Sequence, residues 1–162
     1  MRIGLIDVDS HNMSNFALMK ISAFHKAKGD NVEWVNHFNS YDKIYKSKIF
    51  TFTPDNNHYV DCHDINKGGT GYDIHSCLPP EIDSCTELDY SLYQNNLYSI
   101  QFFSRGCIRA CPFCLVHKKE GKIRPVTPTN LNPNGKHIEV LDNNFFANPE
   151  WRSAVEWLSP LC

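Results

Sequence analysis

The sequence contains no apolar run approaching the about 20 residues that span a bilayer. Asp7 and Asp9 follow Ile6 so closely that the N-terminus has no signal-peptide core either. Neither charge sign dominates: 16 Lys and Arg stand against 18 Asp and Glu, for a formal net charge of -2 at pH 7. That excludes the basic footprint of a nucleic-acid binder and also an acidic tail, and the modest cluster from Lys118-Lys119 to Arg124 reads as a solvated loop. Neither a membrane nor nucleic acid is implied, and a cytoplasmic location is expected. Seven cysteines is an odd number, and three of them stand in metal-ligand spacing, which argues against a secreted disulfide framework. Cys62, Cys77, Cys85 and Cys162 are therefore expected as free thiols. Gly68-Gly69-Thr70-Gly71 lacks both the lysine and hydroxyl placement of a P-loop and the spacing of a dinucleotide fingerprint, so it reads as a turn.

What the sequence does have is Cys107, Cys111 and Cys114, a C-x3-C-x2-C run directly after an aromatic, strand-like segment. Three thiolates in one tight loop can hold three irons of a cubane cluster and leave the fourth without a protein ligand, whereas an electron-transfer cluster normally has four cysteines. Two other readings stay open. Cys111 and Cys114 alone form a C-x2-C, the pattern of a thiol-redox pair, though this leaves Cys107 unexplained. A zinc site would need a fourth ligand, for which His117 is the nearest candidate, crowded into the same short loop. His58, Cys62, His63, His75, Cys77 and Cys85 show no recurring ligand spacing.

At 162 residues the chain is long enough for one domain or two small ones. Met1 to Asp9 reads as a buried strand ending in the polar turn Asp9-Ser10-His11-Asn12. A helix follows from Phe16 to Ala27, with Ser14 or Asn15 as cap and Gly29 as stop. Asn31 to Val35 then completes a β-α-β unit with parallel pairing. Tyr41 to Thr53 fits a short helix or turn leading to a strand, and Val60 to Ile65 a further strand. The simplest architecture is a small doubly wound α/β domain over residues 1–75, with 76–96 as a linker because Pro79-Pro80 favours an extended connector. The second unit, 97–162, opens with the strand Leu97 to Phe103, whose end delivers the cysteine loop. Ile138 to Asp142 reads as the next parallel strand and Pro149 to Leu158 as the next helix.

The run from Ser104 through Cys114 to Arg124 resembles the cluster loop of radical S-adenosylmethionine (radical SAM) enzymes. The resemblance implies a [4Fe-4S] cluster held by Cys107, Cys111 and Cys114, with SAM chelated by its amino and carboxylate groups to the unique iron. An electron from a reducing donor then cleaves SAM to methionine and a 5′-deoxyadenosyl radical. It places Phe113 near the adenine. It gives Asp142, Asn143 and Asn144, at the end of the second barrel strand, a part in binding the SAM amino group, in place of the glycine-rich pattern many members carry. As a plain sequence, Asp-Asn-Asn also makes a good turn.

The element order resembles radical SAM proteins with a cobalamin-binding-like domain ahead of a partial TIM-type barrel. Asp9-Ser10-His11 is similar to the start of the D-x-H-x-x-G cobalamin motif, but Ser14 replaces its glycine, so the domain is expected to be cobalamin-domain-like without cobalamin. The family barrel needs several more strands than this sequence provides. The chain is therefore expected to be a natural truncation, a gene fragment or half of a split enzyme; in the last case a second polypeptide completes the barrel, and without such completion the chain alone can lack activity. A metal-binding module acting by association is the alternative.

Overall fold

Ile3 and Leu5 point to one side of the first strand, β1 (Arg2–Asp7), and are sealed from solvent, while Gly4 between them is buried on the other side. β1 pairs with β2 (Asn31–Trp34) on one side and with β3 (Lys43–Ser47) on the other, and β3 pairs in turn with β4 (Ile65–Gly68). All three pairings are parallel, giving a four-stranded sheet in the order β2-β1-β3-β4 within a mixed α/β fold. The computed structural model describes residues 1–10, 13–55 and 60–161. His11, His58 and Cys162, singled out above, lie outside the described residues. The chain divides into two compact units, Met1–Asn96 and Leu97–Cys162.

The crossover from β1 to β2 is helix α1 (Phe16–Ala27). Asn15 Oδ1 accepts from Leu18 N at 3.2 Å, so Asn15 is the N-cap, and Gly29 follows the last turn with φ 82°, a left-handed stop. Leu18 and Ile21 of α1 join Ile3, Leu5, Val32 and Tyr45 of the sheet in one core. On the opposite side of β1, a side chain at Gly4 would meet Val35 Cγ2 at 2.7 Å, so the glycine is what lets Val35 and Tyr41 lie against the strand.

The segment read as a connector packs inside the first unit. Pro79 is extended (ψ 140°), as a residue before proline should be, but Pro80 opens the short helix α2 (Pro80–Asp83), where its missing N–H has no helical partner to lose. Ile82 is 2% exposed and part of the core, and Leu88 and Tyr90 are also buried. Asp89 fastens the segment to α1: it accepts from Ser22 Oγ at 2.5 Å and pairs with Lys26 Nζ at 2.6 Å. Burial alone would raise the Asp89 carboxyl, but hydrogen bonds from Lys26, Ser22 and Ser91 outweigh it and leave the group below its ordinary value.

Two strands also differ from their sequence reading. Tyr41 to Thr53 holds β3 rather than a helix or turn before a strand. Its lysines obscure a buried central strand, since Lys46 pairs with Asp55, and Lys43 pairs with Asp64 at 3.1 Å. The strand expected over Val60 to Ile65 is instead β4, which starts at Ile65. Among the described residues a single bridge, Tyr41 to Cys62, precedes it. β4 is an edge strand whose exposed face needs no apolar pattern, so hydrophobicity gives no cue to its start.

The second unit has β5 (Tyr98–Gln101), then β6 (Ser104–Arg105), a single helical turn α3 (Val116–Lys119), β7 (Arg124–Pro125), β8 (His137–Val140) and helix α4 (Trp151–Leu158). β5 and β8 are parallel, and β6 and β7 form a short antiparallel pair. Phe103 anchors α4, with its ring 5.4 Å from that of Trp157. Among the described residues no helix is long and apolar enough to cross a membrane.

Candidate functional site

The cysteine run is an excursion from the carboxyl end of β5. Phe102 and Phe103 carry the chain into β6, and the pairs Ser104 to Pro125 and Arg105 to Arg124 bring the two ends of residues 106–123 together. Gly106 turns the chain into the loop at φ 83°. A Cβ there would lie 2.4 Å from Lys122 O and 2.7 Å from Gly121 O, so only glycine lets the two ends approach this closely. Cys107 N donates to Gly121 O at 3.3 Å across the same neck.

Glu120 closes the neck from the side. Its carboxylate accepts from Arg105 Nη2 at 2.5 Å, Gly106 N at 2.8 Å and Asn143 Nδ2 at 3.2 Å. Its main-chain carbonyl accepts from Arg124 Nη1 at 2.6 Å, and the Arg105 guanidinium lies 4.2 Å from the centre of the Phe102 ring. Sequence reading placed Glu120 within a solvated basic run. The available signal was one acidic residue among lysines, beside Gly121, at the far end of a loop that begins Arg105-Gly106.

Cys107, Cys111 and Cys114 are all half-buried and not disulfide-bonded. Arg109 N donates to Cys107 Sγ at 3.4 Å, and Cys114 N donates to Cys111 O at 3.0 Å in a tight turn. Phe113 is 88% exposed between the second and third cysteines, with Ile108 and Leu115 also exposed. His117, on the turn of α3, has a buried Nδ1 with no hydrogen-bond partner.

The donor set fits an iron–sulfur cluster by its chemistry: three unpaired, accessible thiols on one loop whose ends are fixed. The sulfurs themselves are not drawn together, and among the described residues no three His, Cys, Asp or Glu side chains are grouped to hold a metal ion. Closing the loop around a metal would be driven by the metal–thiolate bonds, as in small metallo-domains where the site forms on binding.

Asp142, Asn143 and Asn144 follow β8. Both oxygens of Asp142 are engaged, by Phe103 N at 2.8 Å and Ser104 Oγ at 2.5 Å, so this residue fastens the end of β8 to the exit of β5. Asn143 reaches Glu120, and the Asn144 carbonyl accepts from Ala147 N at 3.1 Å to start a 3-10 turn over Phe145–Ala147. Beneath them Gln101, 0% exposed, donates to Thr129 O at 2.9 Å and accepts from Thr129 N at 3.0 Å, holding the connection between β7 and β8.

In the first unit, Cys62, Cys77 and Cys85 are also free of disulfides, each with its thiol directed at a nearby main-chain carbonyl. Asp9 accepts from Ile49 N and Phe50 N, both at 2.8 Å. Burial would raise its carboxyl, but these amides, with Thr53 and Lys48, hold it below its ordinary value. In the glycine turn the Gly71 amide donates to Lys48 O at 2.9 Å, and a Cβ at Gly69 would lie against that same carbonyl. The amide is thus used within the protein. No protein-family model, curated protein or solved structure matches the chain.

Proposed function

We propose that the chain is a radical SAM-type protein in which Cys107, Cys111 and Cys114 ligate three irons of a [4Fe-4S] cluster and the fourth receives SAM. The observation that carries this reading is the position of the three-thiol loop, at the carboxyl end of a strand paired in parallel with β8. Cofactor loops of parallel α/β architectures gather at that end. The finer fold reading goes with it: a doubly wound, cobalamin-binding-like first domain and the first βα units of a partial barrel. The engagement of Asp9 by main-chain amides favours a first domain without cobalamin.

A cluster held by Cys107, Cys111 and Cys114 would supply the SAM sulfonium with one electron from an external reducing donor, splitting one carbon–sulfur bond into methionine and a 5′-deoxyadenosyl radical. The chain's own part is to hold and orient. The exposed Phe113 ring offers an apolar face to the adenine, and Asn143 and Asn144 present polar groups at the end of β8 to the SAM amino group. Asp142 keeps the ends of β5 and β8 in register. Further strands, from this or a second polypeptide, would complete the enclosure that keeps water and oxidants from the radical.

A second reading, a zinc-binding module acting through association, is favoured by the unpartnered buried Nδ1 of His117, because three thiolates and one imidazole make a full tetrahedral set. Anaerobic reconstitution with iron and sulfide, followed by electron paramagnetic resonance of the reduced protein with and without SAM, separates the two. A cubane signal that shifts on adding SAM, with 5′-deoxyadenosine produced, supports the first. Zinc binding without a cluster overturns it.

A further inference from the structure

Resting on the radical SAM-type reading above, we infer that Glu120 is a positioning residue, fixing the cluster loop relative to the end of β8 and so setting how well SAM can bridge the two. A solvated surface glutamate is worth little as half of an ion pair. Glu120 is different in kind, since its side chain is 15% exposed and its two oxygens take three donors from two places in the chain, the consecutive Arg105 and Gly106 and the distant Asn143. Arg105 lies on β6, Gly106 directly precedes the first cysteine, and Asn143 follows β8.

Cys107 is consequently held twice, through the Gly106 amide on Glu120 and through its own amide on Gly121 O. The carboxylate that holds this end of the loop also holds the side chain of Asn143. SAM bound in the proposed manner is anchored at the cluster by its amino and carboxylate groups and steadied from the end of β8, so the separation of those two supports decides its affinity. Glu120 spans that separation. It touches neither the metal nor SAM in this scheme, so its loss should leave the thiolates competent while misplacing the second support.

The test uses the full chain, reconstituted anaerobically, with Glu120→Ala, Glu120→Gln and Asn143→Ala beside the parent and Cys107→Ala. Iron content is measured, and SAM is titrated against the electron paramagnetic resonance signal of the reduced cluster. Iron content in Glu120→Ala and Asn143→Ala should stay near the parent value. The SAM concentration giving half of the spectral change should rise at least tenfold in Glu120→Ala and severalfold in Asn143→Ala. Glu120→Gln, which keeps an acceptor for Gly106 N, should recover part of the loss. If Glu120→Ala does not fold, the other two variants decide. Titrations matching the parent overturn the inference, and so does iron loss as complete as in Cys107→Ala, which would make Glu120 a plain support of the loop. A parent that takes up no cluster defeats the underlying reading first and this inference with it. A parent that responds to SAM alongside equally responsive variants defeats this inference alone.

Discussion

Replacing Gly106 by alanine tests whether the two ends of the cysteine loop lie in contact, and Gly121 supplies the control. Both glycines have positive φ, 83° and 75°. An L-residue in that region costs about 1–2 kcal/mol, and both substitutions should incur it. They differ in surroundings. The new methyl group at position 121 has nothing within 4 Å, whereas at 106 it lies 2.4 Å from Lys122 O and 2.7 Å from Gly121 O. Those oxygens are main chain, so the segment leading into β7 must shift, and overpacking of this kind adds about 1–3 kcal/mol. Gly106→Ala should therefore cost about 2–5 kcal/mol and Gly121→Ala about 1–2 kcal/mol. Against a usual domain stability of about 5–15 kcal/mol, the first is a large fraction and the second is tolerable. The assay is urea denaturation of each variant, with limited proteolysis to locate opening between residues 105 and 124 and iron content after reconstitution. Gly106→Ala should open at the loop and bind less iron, while Gly121→Ala remains closer to the parent. Equal stability and equal iron in the two variants would refute the close approach.

Three further outcomes are expected. Changing Cys107, Cys111 or Cys114 to alanine should lower the iron content sharply, with Cys62→Ala or Cys85→Ala near the parent; equal losses in all five would remove the three-cysteine assignment. Asp89 has its carboxyl lowered in the folded state, so it contributes stability above its unfolded pKa that is lost as pH falls through the folded one. Asp89→Asn should thus be less stable at neutral pH and should flatten the decline below about pH 5 in thermal melts, and an unchanged slope would contradict this. Gln101→Leu keeps side-chain bulk but leaves Thr129 N and O without their partner, at about 1–3 kcal/mol for each buried group, and a denaturation midpoint equal to the parent's would show those bonds to be unimportant.

The legible parts of the fold are those whose signals are local. Ile3 and Leu5 mark β1 by alternation, and Asn15 and Gly29 bound α1 by chemistry that acts within a few residues. β3 is harder to read because Lys43 and Lys46 are neutralised by Asp64 and Asp55, partners that the sequence does not point to. Pro79-Pro80 looks like a connector because proline has the same preferred backbone in a linker and at a helix start, and only the burial of Ile82, Leu88 and Tyr90 separates the two. The same division holds at the site. The spacing of Cys107, Cys111 and Cys114 is visible at once, whereas Glu120 acquires its role from Arg105, Gly106 and Asn143, which lie up to 23 residues away.

A loop that must gather three sulfurs faces an entropic cost that its own sequence cannot reduce. Fixing the backbone of residues 107–114 would cost at most about 8–16 kcal/mol if each residue began fully free. A structural metal in a small domain contributes about 10–16 kcal/mol at neutral pH, which is the same size, so a loop with loose ends would have little net affinity. The neck changes that balance. β6 and β7 pair its two sides and Gly106 permits their contact, so the ends of the excursion are fixed before any metal arrives, while Glu120 ties this end to Asn143. The interior, residues 108–119, is left to rearrange around a metal. This division of labour explains how ungathered thiols can belong to a metal site, and it makes binding sensitive to residues that are not ligands. In the proposed scheme, affinity for iron then depends on the thiolates and on the paired β6–β7 neck that Gly106 permits, whereas the tie from Glu120 to Asn143 bears on SAM.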